Sequence, residues 1–240
     1  MSQASSPASF HKAAPQAAAV IVAGGSGRRM GSDVRKQYLQ LAGRPVLYHA
    51  VLPFLRHTRI GEVVVVLPEP DAADPPEWLS MLEVQIVAGG LERSDSVRNG
   101  LRATRTGTGI VVIHDGARPF VSGELINRVL DAAGTGSGAI AAVRVTDTIK
   151  DVDPDGTIRG TPDRARLWQA QTPQAFPHAL VLAAHERALE EGVGGTDDAA
   201  LIERFGGRVV IVEGATENLK ITRPRDLVVA EALAPHLLGG

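Results

Sequence analysis

The sequence predicts an α/β fold, a largely parallel sheet with flanking helices. Two observations carry this. Short apolar, β-branched runs alternate along the chain with helix-like segments, the succession that builds layered α/β domains. Most of these runs are continuous rather than alternating, as in strands covered on both faces.

In chain order, the first expected strand is Ala18–Val22 (AAVIV), which runs straight into a glycine-rich turn. A helix-like stretch follows at Pro45–Leu55, then strands at Val63–Leu67 (VVVVL) and Val84–Val87 (VQIV). Ser94–Thr104 reads as a helix with Ser94 in the N-cap position, a site that favours a side-chain oxygen. Ile110–His114 (IVVIH) is the next strand, Gly123–Ala133 the next helix, and Ala139–Val143 (AIAAV) the strand after it. Helices are expected at Pro177–Glu191 and Asp197–Phe205, a strand at Val209–Val212 (VVIV), and a last helix at Pro224–Leu233. In folds of this class, ligands bind beyond the carboxyl ends of the strands.

One stretch breaks the rhythm, from Thr146 to Gln171. Asp153-Pro154-Asp155-Gly156 is a strong turn signal between two β-prone runs, Thr148–Val152 and Thr157–Arg159. The pattern predicts a protruding β-hairpin arm at about 146–171. Such an arm has no core of its own. Packing on a partner subunit and a plain surface hairpin both fit it.

Composition bounds the rest. The chain has 240 residues, 44 % apolar and 22 % charged, enough for one domain with a sizeable core. Its 26 glycines and 15 prolines are too few for a collagen-like or low-complexity chain. Aromatics are only 4 %, so the core falls to Val, Leu, Ile and Ala. With 25 Lys and Arg against 27 Asp and Glu, the chain as a whole is no nucleic-acid-binding cation. The absence of Cys excludes disulfide scaffolds, thiolate catalysis and Cys-ligated metals. It fits a reducing compartment, and a cytoplasmic location is expected. No apolar run approaches the ~18 residues needed to cross a bilayer, so no membrane partner is expected. Residues 1–17 are rich in Ala, Ser and Pro, with Lys12 the only formal charge. They lack both a signal core and a transit-peptide pattern, and read as a disordered tail ahead of a single domain at 18–236.

The glycine-rich turn is Ala23-Gly24-Gly25-Ser26-Gly27-Arg28-Arg29-Met30-Gly31. Glycines after a first strand let backbone N–H groups approach a phosphate. The turn lacks the third glycine of a dinucleotide fingerprint and the Gly-Lys-Ser/Thr of a P-loop. That disfavours a dinucleotide-dependent oxidoreductase. Between Gly27 and Lys36 lie Arg28, Arg29, Arg35 and Lys36 against Asp33 alone. A local excess of cations in an acidic chain suits a polyphosphate. A flexible loop with a solvated basic face is the plainer alternative.

Gly-Gly-x-Gly-x-Arg-Met followed by Lys36-Gln37-Tyr38-Leu39 resembles the signature of nucleotidyltransferases of the nucleotide-sugar type. More narrowly, it resembles the 2-C-methyl-D-erythritol 4-phosphate cytidylyltransferases of the non-mevalonate route to isoprenoids. The likeness extends from about Ala18 to Ala234. Six further stretches keep the family's order: GGLERSDSV (89–97), HDGARPF (114–120), VTDTIK (145–150), QTPQAF (171–176), TDDA (196–199) and ENLKITRPRDL (217–227). The resemblance implies a Rossmann-like nucleotidyltransferase fold. It also implies a reaction that joins a sugar-alcohol phosphate to CMP and releases pyrophosphate. The attacking phosphate oxygen is already anionic, so no protein nucleophile is needed. The task is to align two polyanions and spread the charge that builds on the α-phosphate.

By resemblance, Arg29, Lys36 and Lys220 are the catalytic residues. Arg29 and Lys36 contact the CTP phosphates, and Lys220 reaches the α-phosphate from the opposite side. Ala23, Gly24, Gly25, Gly27, Gly89, Gly90, Ser96, Asp115 and Ala117 match nucleotide-binding positions. Thr148, Arg164, Thr172, Thr196 and Thr222 match substrate-binding positions, and family members are homodimers in which Arg164 would act in the neighbour's site. Mg²⁺ is the expected cofactor, held mainly by the nucleotide, with Asp115 the nearest candidate ligand. Arg118 fits a structural ion pair as well as a ligand. His178 and His185, seven apart on one helix face, are too far apart for a metalloprotease motif and read as solvated or packing. Asp197-Asp198 reads as filling a helix's first turn. Trp78 and Trp168 read as packing residues.

Two departures from the family pattern stand out. Arg35 occupies a position where the family usually has Pro, which would loosen the loop and add attraction for phosphate. Gly24 replaces a more usual Ala, as in sister enzymes acting on ribitol 5-phosphate, so ribitol-5-phosphate cytidylyltransferase is the alternative. A non-catalytic nucleotide-binding module on the same fold is a further one.

Overall fold

A computed structural model describes residues 17–25, 35–105, 107–134 and 136–238. The tail expected at 1–17 lies outside the described residues except for Ala17, which is the first residue of a strand.

The chain begins with β1 (Ala17–Val22), a short 3-10 turn (Lys36–Tyr38), and the two-residue strands β2 (Gln40–Leu41) and β3 (Arg44–Pro45). Then come α1 (Val46–Leu55), β4 (Ile60–Leu67), α2 (Glu69–Ala73), α3 (Glu77–Ser80) and β5 (Gln85–Ala88). Next are α4 (Arg93–Ala103), β6 (Ile110–Asp115), α5 (Gly123–Ala132) and β7 (Gly138–Arg144). The arm carries β8 (Asp151–Val152), β9 (Ile158–Gly160) and a second 3-10 turn (Arg164–Arg166). The chain closes with β10 (Trp168–Pro177), α6 (His178–Glu190), α7 (Asp198–Arg204), β11 (Val209–Glu213) and α8 (Pro224–Leu237).

Among the described residues the main sheet has seven strands in the order β11-β7-β10-β6-β1-β4-β5. β1 pairs in parallel with β4 and β6, β4 with β5, and β7 with β11. The six strands expected from apolar runs are all present. The sequence reading missed β10, which lies antiparallel between β6 and β7 and gives the arm a firm base. Its text, WQAQTPQAFP, contains no apolar run, and a proline argues against an inner strand. Pro173 falls in the interval between Ala170 and Gln174 where pairing with β7 is irregular. The buried amide nitrogens there find partners instead of solvent. Gln171 Nε2 donates to the Ala215 carbonyl at 2.9 Å, and Gln174 Nε2 to Asp197 Oδ2 at 3.1 Å. The expected arm is therefore shorter than 146–171, because residues from Trp168 on belong to the sheet. Its turn forms as expected: Gly156 takes a φ of +87° and its N–H donates to the Asp153 carbonyl at 2.9 Å.

Apolar residues cover both faces of the sheet. Leu47, Val51, Phe54, Leu125, Ile126 and Val129 from α1 and α5 fill one side. Val97, Leu101, Val181, Leu201 and Ile202 from α4, α6 and α7 fill the other. α4 sits unusually close, because a Cβ at Gly100 would lie 2.4 Å from Val20 Cγ1 and 2.9 Å from Val66 Cγ2. This approach brings the first turn of α4 beside the carboxyl ends of β1 and β5. The cap of that helix lies two residues before the expected Ser94. Glu92 is its cap, accepting from the Asp95 N–H while Asp95 Oδ2 accepts from the Glu92 N–H.

The end of β6 is fixed from beneath. The Asp115 N–H donates to Thr172 Oγ1 at 3.0 Å, and that hydroxyl lies 3.0 Å from His114 Nδ1. His114 Nε2 lies 3.0 Å from the Arg118 carbonyl, an acceptor, so Nε2 carries the proton and Nδ1 accepts from Thr172. His114 is fully buried against the Phe54 ring, 5.0 Å away between centroids. Burial pushes its pKa from 6.5 down to about 4, and the ring is neutral in the fold. Between those values the unfolded chain binds a proton that the native state refuses. Stability should therefore fall as pH drops from 6.5 to about 4, by roughly 3 kcal/mol from this group. Urea midpoints across that range should show the slope. His114→Gln should flatten it while lowering stability at pH 7, leaving a residue from His49 and His57, which burial also holds low. An unchanged slope would remove His114 from the linkage.

Candidate active site

A pocket of about 330 Å³ opens at the carboxyl ends of β1 and β6, against the first turn of α4. One wall is the chain after β1, Ala23-Gly24-Gly25, and another is Gly90 to Arg93 with Ser96. Lys36 and Gln37 close one side, and Asp115, Gly116, Ala117 and Lys220 the other.

Each wall has a local cause. The Gly116 N–H donates to the Val22 carbonyl at 2.9 Å, which binds the turn after β6 to the end of β1. A Cβ at Gly90 would fall 2.3 Å from Asp95 Cβ, and one at Gly89 would fall 2.7 Å from Ser96 Oγ. These glycines let the backbone lie against the start of α4, where the Gly90 N–H donates to Ser96 Oγ at 3.1 Å. Lys36 is aimed by its neighbour. Gln37 is buried and its Nε2 donates to the Ala23 carbonyl at 3.0 Å, so the 3-10 turn is pinned to the glycine turn.

Lys220 is held in the same manner from the far end of the chain. It stands between Asn218 and Ile221, both fully buried. Asn218 Nδ2 donates to the Thr172 carbonyl at 2.8 Å, and the Ile221 N–H to the Ala117 carbonyl at 2.9 Å. Arg118 Nη1 donates to the Asn218 carbonyl at 2.6 Å. Arg118 thus braces the Lys220 segment, and burial pulls its pKa down.

Asp115 is the electrostatic centre. Its Oδ2 lies 2.6 Å from Lys220 Nζ, and its Oδ1 accepts from Arg93 Nε at 3.4 Å. Burial alone would raise its pKa, but Arg93 and Lys220 outweigh burial and hold the carboxyl well below the usual carboxylate range. Arg93 also grips Asp198 with both terminal nitrogens, at 3.1 and 2.9 Å. Asp198 is kept ionised against its burial by Arg93 and by His185, whose Nε2 lies 3.1 Å from Oδ1.

Of the residues expected at the nucleotide, Ala23, Gly24, Gly25, Lys36, Gly90, Ser96, Asp115, Ala117 and Lys220 line this one pocket. Gly89 lies behind its wall, and its N–H donates to the Leu67 carbonyl at 2.7 Å. Gly27 and Arg29, with Arg28, lie outside the described residues. Arg35 departs from expectation. It pairs with Asp71, which also accepts from the Tyr38 hydroxyl at 2.7 Å, so its charge is spent on α2. Burial and then that hydrogen bond raise the Tyr38 pKa.

None of the five expected acceptor-side residues lines the pocket. Thr148 and Arg164 are exposed on the arm, where Arg164 Nη1 donates to the Thr146 carbonyl at 2.9 Å. Thr196 is exposed just before α7. Thr172 is buried beneath Asp115, and the Thr222 hydroxyl donates to Asp226 at 2.8 Å.

Sequence reasoning missed Gln37, Arg93, Asp198 and Asn218. Arg93 had a usable signal, since a cation at the first position of a helix opposes the helix dipole and needs a local acid. Asp198 had none. Asp197 is the cap, accepting from the Ala200 N–H at 2.9 Å, whereas Asp198 turns inward. His185 is likewise buried on a charge rather than simply packed.

Comparison with known proteins gives a consistent answer. The family model described as "IspD: 2-C-methyl-D-erythritol 4-phosphate cytidylyltransferase" matches residues 17–235. The chain is 50 % identical over 221 residues to the 2-C-methyl-D-erythritol 4-phosphate cytidylyltransferase of Syntrophotalea carbinolica, covering 89 % of this chain and 94 % of that one. It is 47 % identical over 224 residues to that of Syntrophus aciditrophicus, covering 91 % and 95 %. Among solved structures, it resembles the 4-diphosphocytidyl-2C-methyl-D-erythritol synthase of Anaerococcus prevotii with a TM-score of 0.82 at 33 % identity, covering 90 % and 94 %. It also resembles the 2-C-methyl-D-erythritol 4-phosphate cytidylyltransferase of Thermus thermophilus with a TM-score of 0.77 at 36 % identity, covering 90 % and 98 %.

Proposed function

The chain belongs to the 2-C-methyl-D-erythritol 4-phosphate cytidylyltransferase family, and from that premise we propose how its residues move CMP from CTP to 2-C-methyl-D-erythritol 4-phosphate. It is a nucleotidyltransferase of isoprenoid precursor synthesis. The observation that carries the residue assignment is the meeting of Lys36 and Lys220, 184 positions apart, on one glycine-walled pocket above a buried carboxylate.

The nucleotide lies against Ala23–Gly25, Gly90, Ser96 and Ala117, with its triphosphate toward Lys36 and Lys220. By resemblance to the family, Arg29 is assigned to the same phosphates. A phosphate oxygen of the acceptor attacks the α-phosphorus of CTP, and the bond from that phosphorus to the bridging oxygen breaks. The electron pair leaves with pyrophosphate, and no proton needs to move. Charge building on the α-phosphate meets a cation on either side, already fixed in direction before the reaction. Lys36 is fixed through Gln37, and Lys220 through Asn218, Ile221 and Asp115.

Asp115 and Glu92 are the carboxylates among the pocket's lining residues. Both have partners, Asp115 in two cations and Glu92 in the cap of α4. This donor set would suit a Mg²⁺ held mainly by the triphosphate, with Asp115 the candidate protein ligand, rather than a closed protein cage. When bound, Mg²⁺ gathers the phosphate oxygens and offsets their charge.

Two copies of the chain complete the acceptor side. The support is the arm itself. A two-stranded hairpin is marginal alone, and this one exposes Val152 and Ile158 at 50 % and 58 %. Arg164 would reach the partner's acceptor phosphate, with Thr148, Thr196 and Thr222 around the acceptor and Thr172 acting from beneath through the Asp115 backbone. Among the described residues no helix is long and apolar enough to cross a membrane, and the lack of cysteine supports a cytoplasmic setting.

Purified protein with Mg²⁺ and CTP should release pyrophosphate with 2-C-methyl-D-erythritol 4-phosphate and little with ribitol 5-phosphate. The reverse preference would overturn the acceptor assignment. A second expectation concerns the arm. Arg164→Ala and Lys36→Ala subunits should each be inactive alone, yet verified heterodimers should recover up to about half of the sites if Arg164 acts across the dimer. No recovery would confine Arg164 to its own subunit.

A further inference from the structure

The pocket is tied to a part of the molecule that no phosphate reaches. Arg93 is the first residue of α4, at the pocket rim, with its side chain 32 % exposed. Its two terminal nitrogens bond both oxygens of Asp198, which is 1 % exposed. Asp198 opens α7, and its Oδ1 also accepts from His185 Nε2 on α6. The remaining guanidinium nitrogen, Nε, donates to Asp115 Oδ1 at 3.4 Å. An unbroken line therefore runs from α6 through Asp198, Arg93 and Asp115 to Lys220.

The division of hydrogen bonds matters. A guanidinium fork matches a carboxylate two-to-two. Freed from Asp198, Arg93 could close its fork on Asp115 and take both oxygens, displacing Lys220. Held by Asp198, it leaves Asp115 Oδ2 to Lys220 at 2.6 Å. The same fork ties the rim of the nucleotide pocket to the segment carrying Thr196, two residues before Asp198. Gln174 Nε2 docks that segment further by donating to Asp197 Oδ2 at 3.1 Å.

We propose that Arg93 and Asp198 are positioning residues: their two-pronged pair joins the nucleotide side of the site to the acceptor side and keeps Lys220 aligned through Asp115. The inference rests on the cytidylyltransferase reading above. It predicts a specific kinetic pattern. Asp198→Asn keeps the shape but loses the charge-paired fork. Measured well below its thermal midpoint, it should lose about tenfold or more in kcat and gain several-fold in KM for the acceptor, with KM for CTP within about twofold. A residue that served folding alone would lower the thermal midpoint and leave the kinetics of the folded enzyme unchanged.

Asp198 is buried, so its variant risks misfolding. Arg93→Lys, on the exposed side of the pair, is the second test. A lysine keeps the charge but cannot fork onto Asp198 while reaching Asp115. It should show the same split between the two KM values. Calorimetric titration with CTP should give each variant near wild-type stoichiometry, so the kinetics refer to folded sites. If the wild type transfers CMP and either folded variant keeps kcat and acceptor KM within about twofold, the positioning role is overturned. A parallel rise in both KM values would overturn it too. A wild type that transfers no CMP would instead contradict the cytidylyltransferase reading and this inference with it.

Discussion

The site depends on one shared carboxylate. Asp115 closes β6, the strand that joins the parallel half of the sheet to β10. Its backbone is fixed by Thr172 and its two oxygens are divided between Lys220 and Arg93. A buried carboxylate with one cation would be a closed ion pair. With Arg93 already forked onto Asp198, Asp115 is shared rather than closed, and Lys220 is aimed through one oxygen instead of a two-pronged pair. The glycine turn, the α4 rim and the segment around Asn218 then form a frame whose open face is cationic.

That frame explains why so little acid-base machinery is visible. The attacking group brings its own charge, so the protein's contribution is geometry and electrostatics. Both lysines at the pocket gain their direction from a buried amide nearby in the chain, Gln37 for Lys36 and Asn218 for Lys220. Fixing the direction in advance spares the long lysine side chains an ordering step during the reaction. The neutral His114 serves the same end from beneath, since its Nδ1 orients the hydroxyl that receives the Asp115 N–H.

Much of this was legible in the sequence. Apolar runs marked every parallel strand, most of them continuous like VVVVL, because a strand covered on both faces has no polar side to show. The order of the seven motif stretches led to the nucleotide pocket and to Lys36, Asp115 and Lys220. What escaped reading was held together by polar contacts between distant segments. β10 is an inner strand built on Gln171, Thr172 and Gln174, whose burial depends on partners in β11's following loop and before α7. Arg35 read as a phosphate attractant because sequence does not show Asp71 waiting on α2. Asp198 read as a helix-start acid because its neighbour Asp197 fits that role equally well.

The central claim is that charge placed at Asp115 aligns the cations for transfer. Steady-state kcat of Asp115→Asn, with CTP and 2-C-methyl-D-erythritol 4-phosphate saturating, tests it most directly. The amide keeps the size and the backbone bond to Thr172 but removes the charge that holds Lys220. The account predicts a loss of about 10²-fold or more in kcat from a variant that remains folded. A folded Asp115→Asn enzyme turning over within a few-fold of the wild type would contradict it.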